Sequence, residues 1–104
     1  MGRKKHITLL KEFKRRLSRR IPIERMILFG SRAKGQPRRW SDFDLIIVSQ
    51  KFRRKVPFKR AIGFHDEWEM DYPVDFLCYT PEEFNRQKKR ITLVREAIKK
   101  GIEI

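Results

Sequence analysis

Two short apolar runs constrain this chain more than anything else in it: Arg-Met-Ile-Leu-Phe at Arg25 to Phe29 and Asp-Leu-Ile-Ile-Val at Asp44 to Val48. Both are too short for a helix, both are rich in residues that favour strands, and the first stops at Gly30. The second holds four apolar residues in succession, the pattern of a strand buried on both faces rather than on one. Such a strand belongs inside a sheet with cover on either side. A third run, Pro73 to Tyr79 (PVDFLCY), reads as another strand with one carboxylate, Asp75, set among apolar neighbours.

Helical signals flank these strands. Ile7, Leu10, Phe13 and Leu17 recur at helical spacing among Lys11, Lys14, Arg15 and Arg16, which predicts a basic amphipathic helix over residues 5–20, closed before Pro22. Pro57 can open a helix, and Phe58, Ala61, Ile62, His65 and Trp68 then keep the helical period to about Met70, which places His65 on a packed apolar stripe. Thr80-Pro81-Glu82-Glu83 is a capping box with Pro at the first helical position. The helix it starts runs to Gly101 with a break near Arg90 to Thr92, and Ile102 to Ile104 can add a short edge strand. The expected order is α-β-β-α-β-α-α with that last β.

A chain of 104 residues makes one compact unit, residues 1–104, without room for separate cofactor and substrate lobes. One cysteine, Cys78, and two distant histidines, His6 and His65, supply neither a disulfide nor a zinc spacing. The apolar stretches are far shorter than the ~20 residues that span a bilayer, so a cytoplasmic protein with no membrane partner is expected. The net charge is +14, with 27 Lys and Arg against 13 Asp and Glu. It is unevenly spread. Through His65 the chain carries 20 basic residues and only Glu12, Glu24, Asp42 and Asp44, whereas residues 66–83 hold seven carboxylates. A field of this kind attracts nucleotide phosphates, nucleic acid or an acidic protein.

The segment between the first two strands carries the chemistry. A strand running into Gly30-Ser31 and a short turn presents backbone N–H groups and a hydroxyl, which suits a phosphate. After Ser31 come ten residues and then Asp42-Phe43-Asp44, and two positions apart on a strand is the same side of it. Paired carboxylates with only oxygen to offer suit a hard cation such as Mg²⁺, held by one or two carboxylates together with substrate phosphates. Arg38 and Arg39 can neutralise phosphate but cannot ligate metal. Turn capping by Ser41 and Asp42 would explain those two residues alone. Asp75 argues for more: a carboxylate in an apolar strand needs a partner, and if that strand lies beside Asp44 to Val48 the three acids converge as a metal site. The alternative is an ion pair from Asp75 to one of the many arginines.

Gly30 and Gly35 stand at the spacing of a P-loop, but Gln36 and Pro37 occupy the places where Lys and Ser or Thr must follow, so that reading fails. The run Phe52-Arg53-Arg54-Lys55-Val56-Pro57-Phe58 alternates aromatic and basic residues, a pattern that can stack on nucleic acid.

The pattern Gly30-Ser31, ten residues, Asp42-Phe43-Asp44 and a later Asp75 resembles the minimal nucleotidyltransferases of the DNA polymerase beta superfamily. The flanking Ser31-Arg32-Ala33-Lys34-Gly35 and Tyr79-Thr80-Pro81-Glu82-Glu83-Phe84 are also similar to small archaeal and bacterial members. At ~6% usage per residue the four-residue core arises by chance in roughly one chain in a thousand of this length, so coincidence is a poor explanation. The resemblance implies an α/β (α+β) fold, a small mixed sheet packed with helices. It implies transfer of a nucleoside monophosphate, AMP from ATP, with release of pyrophosphate. Asp42, Asp44 and Asp75 would be catalytic and hold Mg²⁺, and Gly30 and Ser31 would bind the nucleotide. Genes of the minimal family commonly sit beside one for an all-helical HEPN toxin, so the resemblance implies an antitoxin that adenylylates a tyrosine of that toxin in a type VII-like module. The other expectation is a catalytically silent nucleotide- or RNA-binding module that neutralises its partner by contact.

Overall fold

The computed structural model describes residues 3–33 and 42–104. In chain order they form α1 (Arg3–Leu17), β1 (Arg25–Phe29), β2 (Phe43–Val48), three short 3₁₀ turns, β3 (Val74–Tyr79), α2 (Pro81–Lys88), α3 (Leu93–Lys100) and β4 (Ile102–Glu103). The sheet order is β3-β2-β1-β4. β1 pairs antiparallel with β2, bringing Phe29 opposite Asp44, and β2 pairs parallel with β3, bringing Asp44 opposite Asp75. It is the mixed sheet that the family resemblance implies.

Alternation along the strands sends side chains to two apolar layers. On one face α1 buries Leu10, Phe13 and Leu17 against Met26, Leu28, Phe43, Leu45 and Ile47. On the other, Ile27, Phe29, Ile46 and Val48 pack against Phe84 of α2 and Val94 and Ala97 of α3. This two-sided cover explains the unbroken Leu45 to Val48 run. The capping box is formed: Glu83 N–H donates to Thr80 Oγ1 at 3.1 Å, and the Thr80 N–H donates to Glu83 Oε1 at 2.8 Å. Among the described residues no helix is long and apolar enough to cross a membrane.

The expected helix from Pro57 to Met70 is not there. Gln50–Arg54, Pro57–Lys59 and Phe64–Glu67 are separate 3₁₀ turns, and Gly63 stands at φ +87° before the last of them, a left-handed conformation that no α-helix continues through. The apolar stripe is spent otherwise. Phe58 and Ile62 face solvent at 82% and 70% exposure, while Arg60 turns inward, with Nη1 donating to the Cys78 carbonyl at 3.1 Å and pairing with Glu83. His65 is exposed rather than packed, and its ring meets Phe76 edge-on at 5.2 Å. Phe52 is fully buried, so only Phe58 of the aromatic-basic run is open for stacking.

Candidate active site

β1 ends at Phe29, and Gly30 then turns the chain at φ +77°, with the Ala33 N–H donating to the Gly30 carbonyl at 3.1 Å. Because Phe29 is opposite Asp44 in the β1/β2 register, this turn crosses directly over the Asp44 side chain. A Cβ on residue 30 would stand 2.6 Å from Asp44 Oδ2. Glycine is required here twice over, by its dihedral angle and by its neighbour.

Asp44 is half-buried, and its carboxyl is pushed above the ordinary aspartate range, first by burial and then by the negative charges of Asp75 and Asp42. The three acids thus share one electrostatic field, centred on Asp44. Asp75 differs from the expected buried carboxylate: it is exposed, because β3 is an edge strand of the sheet. Burial therefore does not force a partner on it, and among the described residues it makes no ion pair with an arginine. Ser31 and Asp42 are exposed too. Among the described residues no three acidic, histidine or cysteine side chains are gathered closely enough to close around one ion. Lys34 to Ser41, including Arg38, Arg39 and Ser41, lie outside the described residues.

Gly30, Asp44 and Asp75 share a cavity of about 660 Å³ whose other wall is α3. Phe29, Leu77, Leu93 and Ala97 give it an apolar surface, and Glu96 and Lys100 complete it. Its described side chains therefore set three carboxylates against one ammonium, inside a protein whose net charge is +14. The α3 residues were not foreseen as site residues, since their helical spacing is indistinguishable from ordinary core packing. Leu93 carries a trace of the difference: it remains 53% exposed where a core residue would be covered.

Arg32 anchors the turn from the opposite side of the sheet. It is buried, with its guanidinium 4.6 Å from the Phe43 ring and 4.4 Å from the Tyr72 ring. His6 meets the same two rings edge-on at 5.4 and 5.5 Å, and its Nε2 is buried without a hydrogen-bond partner. Burial, and after it the Arg32 charge, lowers the His6 pKa.

Comparison with known proteins gives this geometry a context. A family model described as a nucleotidyltransferase domain matches residues 10–100. A Haemophilus influenzae protein named "Probable protein adenylyltransferase MntA" is 30% identical over 92 residues, covering 84% of this chain and 78% of the relative. A Sulfolobus solfataricus crystal structure assigned as a nucleotidyltransferase superposes with a TM-score of 0.68 at 22% identity, over 97% of this chain and 80% of that one. That structural likeness speaks for the fold. The family model spans the two strands, the glycine turn between them, β3 and the α3 wall together, and on that match the chain belongs to the nucleotidyltransferase domain family and is an enzyme of that kind.

Proposed function

We propose that the chain transfers AMP from ATP onto a hydroxyl of a protein partner, a tyrosine of a HEPN-family toxin, and so acts as the antitoxin of that pair. The observation that carries the transfer reading is the stacking of Gly30 on Asp44, which lies in register with Asp75 on the wall of one cavity. The likeness to a relative named as a protein adenylyltransferase supports a protein acceptor and adenylate as the group moved.

The donor chemistry fits a divalent cation. Asp42, Asp44 and Asp75 offer only oxygen, and burial and crowding together make Asp44 reluctant to stay ionised without a positive partner. Mg²⁺ asks for one or two carboxylates and completes its shell with water and phosphate, so a closed cage of protein ligands is unnecessary. Asp42 and Asp44 would hold the ion, with Asp75 beside them. When bound, it would supply charge neutralisation to the triphosphate. A polyphosphate entering a wall of three carboxylates needs that neutralisation.

The chain's own residues then have these roles. Gly30 and Ser31 give backbone N–H groups and a hydroxyl to the phosphates at the turn. The acceptor hydroxyl oxygen attacks the α-phosphorus, the bond from that phosphorus to the bridging oxygen breaks, and pyrophosphate leaves. Asp75, exposed and opposite Asp44, takes the hydroxyl proton. The apolar surface of Leu77 and Leu93 accommodates the nucleoside.

The test is a labelling reaction: the chain, Mg²⁺, α-labelled ATP and a HEPN-family protein as the partner. Label on the partner with wild type but not with Asp42→Asn is the expected result. Absence of label with each of the four nucleoside triphosphates, while the partner's activity is still blocked, would replace transfer by neutralisation through contact.

A further inference from the structure

Helix α3 forms the cavity wall opposite the strands, and both of its ends are fixed. At its start Thr92 caps the helix, its hydroxyl accepting from the Arg95 N–H at 3.3 Å and donating to the Gln87 carbonyl at 2.7 Å. At its end the Gly101 N–H donates to the Ala97 carbonyl at 2.7 Å. A Cβ on Gly101 would stand 2.7 Å from the Leu28 carbonyl oxygen and 2.9 Å from Ile27 Cγ2. Only glycine lets the chain pass so close to β1. Immediately beyond, β4 pairs with that same strand, Ile102 opposite Leu28. Lys100 precedes the clamp, so its backbone is held where β1 ends and the Gly30 turn begins.

Lys100 is the cation on the cavity wall among the described residues. It rests on Glu96, Nζ to Oε2 at 3.3 Å, with side chains 65% and 56% exposed. A pair this open to solvent is weak and readily exchanged for a more highly charged anion. An ordinary surface pair would complement the helix end in the same way, but Lys99 has that helix-end position as well and does not line the cavity. The wall that carries Lys100 faces the carboxylates that would hold the metal. A polyphosphate lying there would have the ion on one side and the ammonium on the other.

We propose that Lys100 is a phosphate-binding residue of this cavity, taking the triphosphate of the incoming nucleotide and then the pyrophosphate product, and that Glu96 is its counterion in the empty site. The proposal rests on the nucleotidyl-transfer reading and adds to it a protein cation from among the described residues. Lysine serves here as a compact point charge that can swing from carboxylate to phosphate. Glu96 opposes binding in two ways, by holding the ammonium and by repelling the phosphate.

Calorimetric titration of the full chain with Mg²⁺-pyrophosphate and with Mg²⁺ complexes of non-hydrolysable analogues of the four nucleoside triphosphates tests it, with folding of each variant checked by circular dichroism. Lys100→Met and Lys100→Gln are expected to weaken both ligands about tenfold. Lys100→Arg is expected to recover most of that loss. Glu96→Gln should tighten binding, and Lys99→Met should leave it within about twofold. Unchanged affinity in both neutral Lys100 variants, with wild type binding normally, would overturn the assignment and leave the transfer reading intact. Weaker binding in Glu96→Gln would also overturn it, because the pair would then be a structural strut. Failure of wild type to bind any of these ligands would remove the transfer reading and this assignment with it.

Discussion

The Asp44 carboxylate occupies the space that a Cβ on Gly30 would need, 2.6 Å from Oδ2. The turn that would hold phosphate and the acid that would hold metal are therefore one packed unit rather than two neighbours.

Gly30→Ala must accept a left-handed backbone, which costs a β-carbon-bearing residue ~1 kcal/mol or more, and must also push the carboxylate aside. The variant should melt several degrees lower and lose transfer activity. Removing the obstacle in Gly30→Ala/Asp44→Ala should restore part of the stability, leaving only the backbone cost. Thermal denaturation of the two single variants and the double variant gives the coupling between the positions, and strict additivity would show that they do not touch.

Asp44→Asn should make the protein more stable at neutral pH while abolishing transfer. The Asp44 carboxyl has its pKa raised above the ordinary 3.8, so the folded state holds its proton more tightly than the unfolded state does. Its ionisation therefore opposes folding: the penalty is absent below about 3.8, grows as pH rises through the folded value, and stays in force above it. The gain from the asparagine should be seen at pH 7 in urea unfolding and should vanish near pH 3. Mg²⁺ should raise the melting temperature of wild type and not of the variant.

Glu83 closes the capping box of α2 and also pairs with the buried Arg60 guanidinium. Its hydrogen bond to Arg60 is the largest reason its carboxyl titrates below the ordinary 4.5. The stabilisation is present above 4.5 and is lost as pH falls through the lower folded value. Glu83→Gln should cost about 2–3 kcal/mol at pH 7, since it leaves Arg60 without its charge partner. The difference from wild type should shrink towards pH 3 in urea titrations, with KM for the nucleotide unchanged.

These relationships were unequally visible in the sequence. The strands of the sheet could be read because their apolar runs are short and bounded by Gly30, Pro73 and Thr80, and the capping box because its four residues act locally. The 57–70 stretch misled because Phe58, Ile62 and His65 keep a helical period that burial does not use, and a single glycine, Gly63, sets the chain turning instead. Asp75 could be placed beside Asp44 only by supposing that their strands adjoin. Its exposure depends on β3 being at the sheet edge, which is a property of topology. Leu93, Glu96 and Lys100 reach the cavity through the close approach at Gly101, and a glycine at a helix end gives no sign of whether it serves conformation or contact.

His6 offers a measurable consequence on the far side of the sheet. Its ring stands against Phe43 and Tyr72, the two rings that also carry the Arg32 guanidinium, and its Nε2 has no hydrogen-bond partner. Burial, and after it the neighbouring Arg32 charge, depresses its pKa below 6.5, so the unfolded state takes up a proton before the folded state does. Stability is then complete above pH 6.5 and declines as pH falls from there through the folded value. His6→Phe keeps an aromatic ring against Phe43 and Tyr72 and removes both the proton uptake and the orphaned nitrogen. The variant should therefore be at least as stable as wild type at pH 7.5 and should exceed it by a growing margin down to pH 5, where urea midpoints compared at the two pH values read the difference. A constant margin across that range would mean that His6 titrates in the folded protein as it does in the unfolded chain.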